Sequence, residues 1–169
     1  MLQSIQVANR EKLYTNINMI KGLPGETHAD IWQTIWFLIQ CSRMGGMDIR
    51  QSTFQPYPGS ALFDQLVKEG KIDLSNDDFF LEMVFVTSNG TTKSYNDNVK
   101  AGWYNFYDLL SSAAFYGGSY LFHPSRFFRS IRNILTGEYE IRLERKLLEY
   151  FKQKKQNLKL GLGQIEGKG

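Results

Sequence analysis

The sequence holds one cysteine in 169 residues. A single thiol excludes an internal disulfide framework, a cysteine-rich zinc module and a self-contained iron–sulfur site, each of which needs several. Long apolar runs are also missing, and none approaches the ~18–20 residues of a spanning helix. Met1-Leu2-Gln3-Ser4 carries no basic stretch leading into an apolar one, so no signal peptide is expected and the cytoplasm is the expected compartment. There is no internal repeat, no Gly-Lys-Ser/Thr phosphate loop and no nucleic-acid module, and nucleic acid is not an expected partner. What is present, 42% hydrophobic residues at a net charge of +3, is enough for a packed core and too apolar for wholesale disorder.

The mean charge conceals an asymmetry. From Pro124 onward there are 11 Lys and Arg against 5 Asp and Glu, a net of +6; residues 1–123 hold 9 against 12, a net of −3. A basic end on a mildly acidic body fits a polyanion, a membrane surface or an acidic partner, and equally a Lys-rich solvated helix.

Periodicity orders the first 70 residues. Ile5–Leu13 reads as the end of a helix, and Tyr14–Ile20 as a short β-branched strand stopped by Lys21-Gly22. Thr27 with Asp30 three residues on forms a capping-box variant. From there Ile31, Ile35 and Leu38 alternate with Trp32, Trp36 and Ile39 in a helix with a wide apolar face, ending before Gly45-Gly46. Asp48–Phe54 is a second strand, Ser60 caps a third helix, and Gly70 stops it. Strands alternating with helices imply a parallel sheet, and two strands alone do not complete one. The chain is therefore expected to begin inside a larger α/β fold. Phe79–Val86 is a strand or a short buried helix, and Ser88-Asn89-Gly90 a turn. Beyond them helices are expected over 98–115, interrupted at Gly117-Gly118, then over 125–135 and 138–157. Arg126, Arg129 and Arg132 fall near one face of the second of these, an arrangement compatible with a membrane surface. The aromatics of Trp103-Tyr104-Asn105-Phe106-Tyr107 are expected in the core.

Two loops carry information, each leaving a strand at the end where α/β proteins bind ligands. Gly22-Leu23-Pro24-Gly25-Glu26-Thr27 offers glycines for close backbone approach, a helix N-terminus, and a carboxylate that can receive hydrogen bonds; a tight βα turn needs the same residues. In Phe54-Gln55-Pro56-Tyr57-Pro58-Gly59-Ser60 the two prolines stiffen the exit. Tyr57 is then an aromatic platform, or packs on the helix that follows.

Taken in order, strand, Gly-Leu-Pro-Gly-Glu-Thr, amphipathic helix, strand, Phe-Gln-Pro-Tyr-Pro-Gly-Ser-Ala-Leu-Phe and helix resemble the C-terminal half of the radical S-adenosylmethionine barrel. The wording looks like that of the cobalamin-binding subgroup. The resemblance covers roughly residues 5–72. A looser likeness joins Phe122-His123-Pro124-Ser125-Arg126 and the helices around it to the C-terminal extensions of that subgroup, which includes proteins of the anaerobic magnesium-protoporphyrin monomethyl ester cyclase type.

The resemblance implies an α/β fold: the C-terminal half of a parallel (β/α) barrel over residues 1–75, a mostly α-helical extension over 76–160 and a flexible tail over 161–169. It implies an enzyme that uses S-adenosylmethionine, a [4Fe-4S] cluster and cobalamin when complete, acting on a small-molecule substrate as a porphyrin cyclase or methyltransferase. Ile20, Gly22 and Glu26 lie where the family supports the adenosine of S-adenosylmethionine, and Phe54 and Gln55 where its backbone approaches the adenine. The three-cysteine cluster motif and the cobalamin histidine motif are absent. Cys41 sits on the wrong element, and His28 and His123 occupy no comparable context. No metal ligand or catalytic residue is therefore assigned, none of the cofactors is expected to bind stably to this chain alone, and the expected partners are an N-terminal barrel half and a cobalamin domain. The alternative is a non-catalytic module that meets a membrane surface through its basic helices.

Overall fold

The computed structural model describes residues 1–75, 77–81 and 94–166, with side chains through residue 157. The protein is mixed α/β and mostly helical, with one two-stranded parallel sheet among the described residues. In chain order the elements are α1 (Leu2–Arg10), β1 (Asn16–Lys21), α2 (His28–Arg43), β2 (Asp48–Thr53), α3 (Ala61–Lys68), α4 (Ala101–Phe122), α5 (Pro124–Thr136) and α6 (Arg142–Glu166). The strands pair from Thr15, whose carbonyl accepts the Asp48 N–H at 3.1 Å, to Lys21, whose carbonyl accepts the Phe54 N–H at 2.7 Å.

The expected starts and stops are built as the residue types require. Thr27 Oγ1 accepts the Asp30 N–H at 3.3 Å while the Asp30 carboxylate takes the Thr27 N–H at 2.8 Å, a reciprocal cap on α2. Ser60 Oγ accepts the Phe63 N–H at 3.2 Å at the head of α3, and Gly70 turns with φ +70° behind it. One expected break does not occur. α4 runs through Gly117-Gly118, and Gly118 serves a close approach: a Cβ there would stand 2.5 Å from Ser42 Oγ, whereas one on Gly117 would meet nothing within 4 Å. Residues 78–81 are helical; the rest of the apolar stretch to Val86, and the turn at Ser88-Asn89-Gly90, lie outside the described residues.

The chain divides into two compact units. The first comprises Met1–Ile17, Leu38–Ile49 and Ala113–Gly169. It buries Ile5, Ile17, Leu38, Cys41, Ile49 and Phe115, and with them the polar Ser42, Asp48, Ser130, Asn133 and Glu144. Asp48, the first residue of β2, is buried and accepts hydrogen bonds from the Tyr14 hydroxyl at 2.9 Å, the Tyr116 hydroxyl and the Ile49 N–H. Arg126 donates to the carbonyls of Gly45 and Gly46, to Asn9 Oδ1 and to Ser119 Oγ.

Glu144 is buried at the head of α6, where it accepts the Glu140 N–H at 2.7 Å, the Asn133 amide at 3.2 Å and the Ser130 hydroxyl. Burial by itself would raise its pKa; those hydrogen bonds outweigh burial and hold the carboxyl below its ordinary value. A depressed folded-state pKa contributes stability that is present above the unfolded value of about 4.3 and lost as pH falls through the folded one. The urea midpoint should therefore drop on acidification below about pH 4. Glu144→Gln should flatten that part of the profile while costing about 2 kcal/mol at neutral pH. An unchanged acid limb in the variant would remove Glu144 as its source.

The second unit comprises Asn18–Phe37 and Arg50–Ser112. Phe63, Leu66, Ile72, Phe79 and Tyr95 form one cluster, with Phe54 and Val67 against it. On α2, Ile31 and Ile35 are buried while Trp32 and Trp36 are exposed. The aromatics early in α4 divide likewise: Tyr104 and Tyr107 are buried, whereas Trp103 and Phe106 are about half exposed, so the run is not uniformly core. Rings of both kinds meet α2, with Trp32 edge-on to the buried Tyr107 at 6.2 Å and His28 edge-on to the half-exposed Trp103 at 5.6 Å.

Candidate functional site

The loop from Lys21 to Thr27 is held closed by its own glutamate. Gly22 has φ +77°, a conformation that favours glycine. A Cβ there would meet Thr53 Cγ2 at 3.2 Å and the Tyr104 ring at 3.7 Å. The position is thus fixed both by turn geometry and by close packing. The Gly22 N–H donates to the Glu26 carboxylate at 2.6 Å, and the Glu26 N–H donates to the Leu23 carbonyl at 3.0 Å. Gly25, at φ +84°, completes the turn into α2.

Residues 70 or more positions away clamp this loop from outside. Asn96 Nδ2 donates to the Glu26 carbonyl at 2.7 Å and lies 2.9 Å from the Tyr104 hydroxyl. Asn98 Nδ2 donates to the Gly25 carbonyl at 3.0 Å. The Tyr104 hydroxyl stands 3.4 Å from Glu26 Oε2, and burial above all raises its pKa, so it remains a neutral donor. Beside the loop, Lys21 pairs with Asp108 and lies 5.9 Å from the centre of the Tyr104 ring. Gln51 Nε2 is within 3.4 Å of the Asp108 carbonyl and 3.3 Å of Ser112 Oγ. Asn96, Asn98 and Tyr104 are the residues sequence reasoning missed. An isolated asparagine gives no periodic signal, and only the fold brings these three to the loop.

Each residue singled out in the sequence has a definite place. Ile20 is exposed near the end of β1. Gly22 and Glu26 are joined by the hydrogen bond just described. Phe54 extends the strand pairing through its N–H and packs its ring on the Phe63–Leu66 cluster. Gln55 is half-buried and Pro56 fully buried, while Tyr57 is exposed. The Tyr57 carbonyl accepts the Ser60 hydroxyl at 2.8 Å and its N–H at 3.1 Å, so the strand exit turns directly into α3. The structure therefore assembles Gly22 with Glu26 and brings Phe54 to Lys21 through the strand pairing.

The donor set of this chain does not suit an iron–sulfur cluster. Cys41 lies on α2 at 0% exposure, and burial pushes its thiol up to about 11, the reverse of the lowered pKa that a thiolate ligand requires. Among the described residues no three His, Cys, Asp or Glu side chains converge as a metal site. His28 Nδ1 instead lies 2.7 Å from the Tyr107 hydroxyl. Among the described residues, no helix is long and apolar enough to cross a membrane. No protein-family model, curated protein or solved structure matches the chain.

Proposed function

We propose that this chain is the adenosine-side portion of a radical S-adenosylmethionine enzyme of the cobalamin-dependent type: the C-terminal half of the barrel followed by its helical extension. The observation that carries the reading is the order of the two strand exits, Gly-Leu-Pro-Gly-Glu-Thr and then Phe-Gln-Pro-Tyr-Pro-Gly-Ser, on neighbouring parallel strands. Three features support it. Among the described residues the parallel sheet has two strands, too little to stand as an architecture of its own. Both exits lie at the strand end where barrels bind ligands. The first exit is preorganised without a ligand, since Glu26 already ties Gly22.

On this reading Ile20, Gly22 and Glu26, with the backbone of Phe54 and Gln55, line the adenosine. Glu26 acts by fixing the loop, because its carboxylate is occupied by the Gly22 N–H. The cluster and cobalamin belong to polypeptide outside these residues. Cys41 does not fit a cluster, and no cleavage step is assigned to this chain. Porphyrin cyclisation and methyl transfer are the reactions proposed for the complete protein.

The test begins with the native polypeptide. An antibody to this chain should detect a product larger than 19.6 kDa, and its transcript should encode an in-frame Cys-x-x-x-Cys-x-x-Cys upstream. In that longer protein, reconstituted with iron and sulfide, Glu26→Ala should lower the yield of 5′-deoxyadenosine by about a hundredfold through misplacement of the loop. The 169-residue chain treated in the same way should show no stoichiometric cluster absorbance. A native product of 19.6 kDa with no upstream cysteine motif would overturn the proposal.

A further inference from the structure

α5 is amphipathic and faces the wrong way for a surface helix. Such helices turn their apolar side to the core and their polar side to water. Here Ser130 and Asn133 are buried on the Glu144 carboxylate, and Arg126 points inward to the Gly45 and Gly46 carbonyls. Phe128 and Leu135 are instead 70% and 82% exposed, with Phe127 and Ile131 partly exposed beside them. At the end of α4, Leu121 is also exposed. Rolling the helix would not relieve this, because it would strip Arg126 of four acceptors and Glu144 of two donors. The polar network fixes the apolar stripe on the outside, and an exposed stripe of this kind marks an interaction surface.

We propose that the outer face of α5 docks on a lipid bilayer bearing anionic headgroups. Charge decides for lipid over a protein partner. α5 contains no acidic residue, and the segment from Pro124 onward carries 11 basic against 5 acidic side chains. Arg132 is exposed, four residues after Phe128 and three before Leu135, so it borders the stripe on the helix surface. Phe128 and Leu135 enter the acyl boundary while Arg132 meets headgroup phosphates, the division of labour of an interfacial helix. The contact is different from a three-arginine face, since Arg126 is turned inward and Arg129 pairs with Glu140 at 3.1 Å. The inference is independent of the radical-enzyme reading.

Flotation of the full chain with vesicles tests it. The chain should float with phosphatidylcholine vesicles containing phosphatidylglycerol and much less with phosphatidylcholine alone. Phe128→Ser combined with Leu135→Ser should reduce partitioning by about tenfold or more, and Arg132→Gln by about fivefold. Trp36→Ser, an exposed change on α2, should leave it unaltered. Circular dichroism matching the wild type would show that the variants keep their helices. Failure of the wild type to float overturns the proposal, as does wild-type partitioning by the double variant. A dimer that the double variant dissociates, in a chain that ignores vesicles, would assign the face to a second copy instead.

Discussion

Asp48→Ala should destabilise the protein by about 4 kcal/mol, since each buried polar group left without a partner costs roughly 1–3 kcal/mol. The carboxylate is buried at the first residue of β2 and is the acceptor for two tyrosine hydroxyls from distant positions, Tyr14 and Tyr116. The Arg142 guanidinium lies 3.8 Å away, a longer and weaker ion pair. Alanine would orphan both hydroxyls and leave Arg142 without its carboxylate. Asparagine keeps one acceptor oxygen and a similar volume, so Asp48→Asn should cost about half as much.

A second measurement separates the network from generic damage to the strand. Burial first, and then the hydrogen bond to Asp48 and its negative charge, raise the pKa values of Tyr14 and Tyr116 above the ordinary tyrosine value. In an ultraviolet titration of the nine tyrosines, Tyr104 and Tyr120, whose values burial also raises, should resist ionisation with or without Asp48, while Tyr14 and Tyr116 should resist it in the wild type. The latter two should move toward ordinary values in Asp48→Asn. The raised values also set the sign of the pH effect: their stabilising share is complete below the unfolded tyrosine value of about 10 and is lost as alkaline pH passes the folded ones. Wild-type unfolding midpoints in Asp48→Ala, or an unchanged titration in Asp48→Asn, would contradict this account.

What the sequence made legible follows from how local each signal is. Thr27 with Asp30, Ser60, Gly70 and the 3.6-residue spacing of Ile31, Ile35 and Leu38 act within one or two turns, and the structure builds each of them. The loop from Gly22 to Glu26 is legible as a tight turn for the same reason, whereas the hydrogen bond from the Gly22 N–H to the Glu26 carboxylate is not. Local spacing does not suffice where long-range packing decides. Gly117-Gly118 looks like a break until Ser42 is seen against Gly118. Trp32 and Trp36 share a wide apolar face with Ile31 and Ile35, yet only the isoleucines are buried. The clamp on the Gly22 loop depends on Asn96, Asn98 and Tyr104, whose placement no spacing rule encodes. The inversion of α5 was hidden most deeply. Hydrophobic periodicity shows that a helix has two faces, but which face turns inward depends on acceptors at Gly45, Gly46 and Glu144.

Arg126 provides the most direct test of that inversion. Its guanidinium donates to Gly46 at 2.8 Å, Asn9 at 2.9 Å, Gly45 at 3.0 Å and Ser119 at 3.1 Å. One side chain thereby ties α5 to α1, α4 and the turn ahead of β2. Burial lowers its pKa, with the Arg129 charge adding to the effect, but an arginine keeps its proton throughout the working range. The turn cannot be remade around a smaller residue: Gly45 has φ +96°, and a Cβ there would collide with the Asn9 side chain at 2.3 Å. Arg126→Ala should therefore cost about 3 kcal/mol, the expense of leaving two carbonyls and an amide oxygen without their donor. Arg126→Lys should recover less than half of it, because one ammonium cannot reproduce the planar fork that spans acceptors on three elements. Urea unfolding at neutral pH provides the measure, a lower midpoint at unchanged slope being the sign of lost stability. Arg132→Gln, one turn and a half further along the same helix on its exposed side, should stay within about 0.5 kcal/mol of the wild type. Equal effects at the two arginines would mean that charge density on α5, and not the inward anchor, sets its orientation.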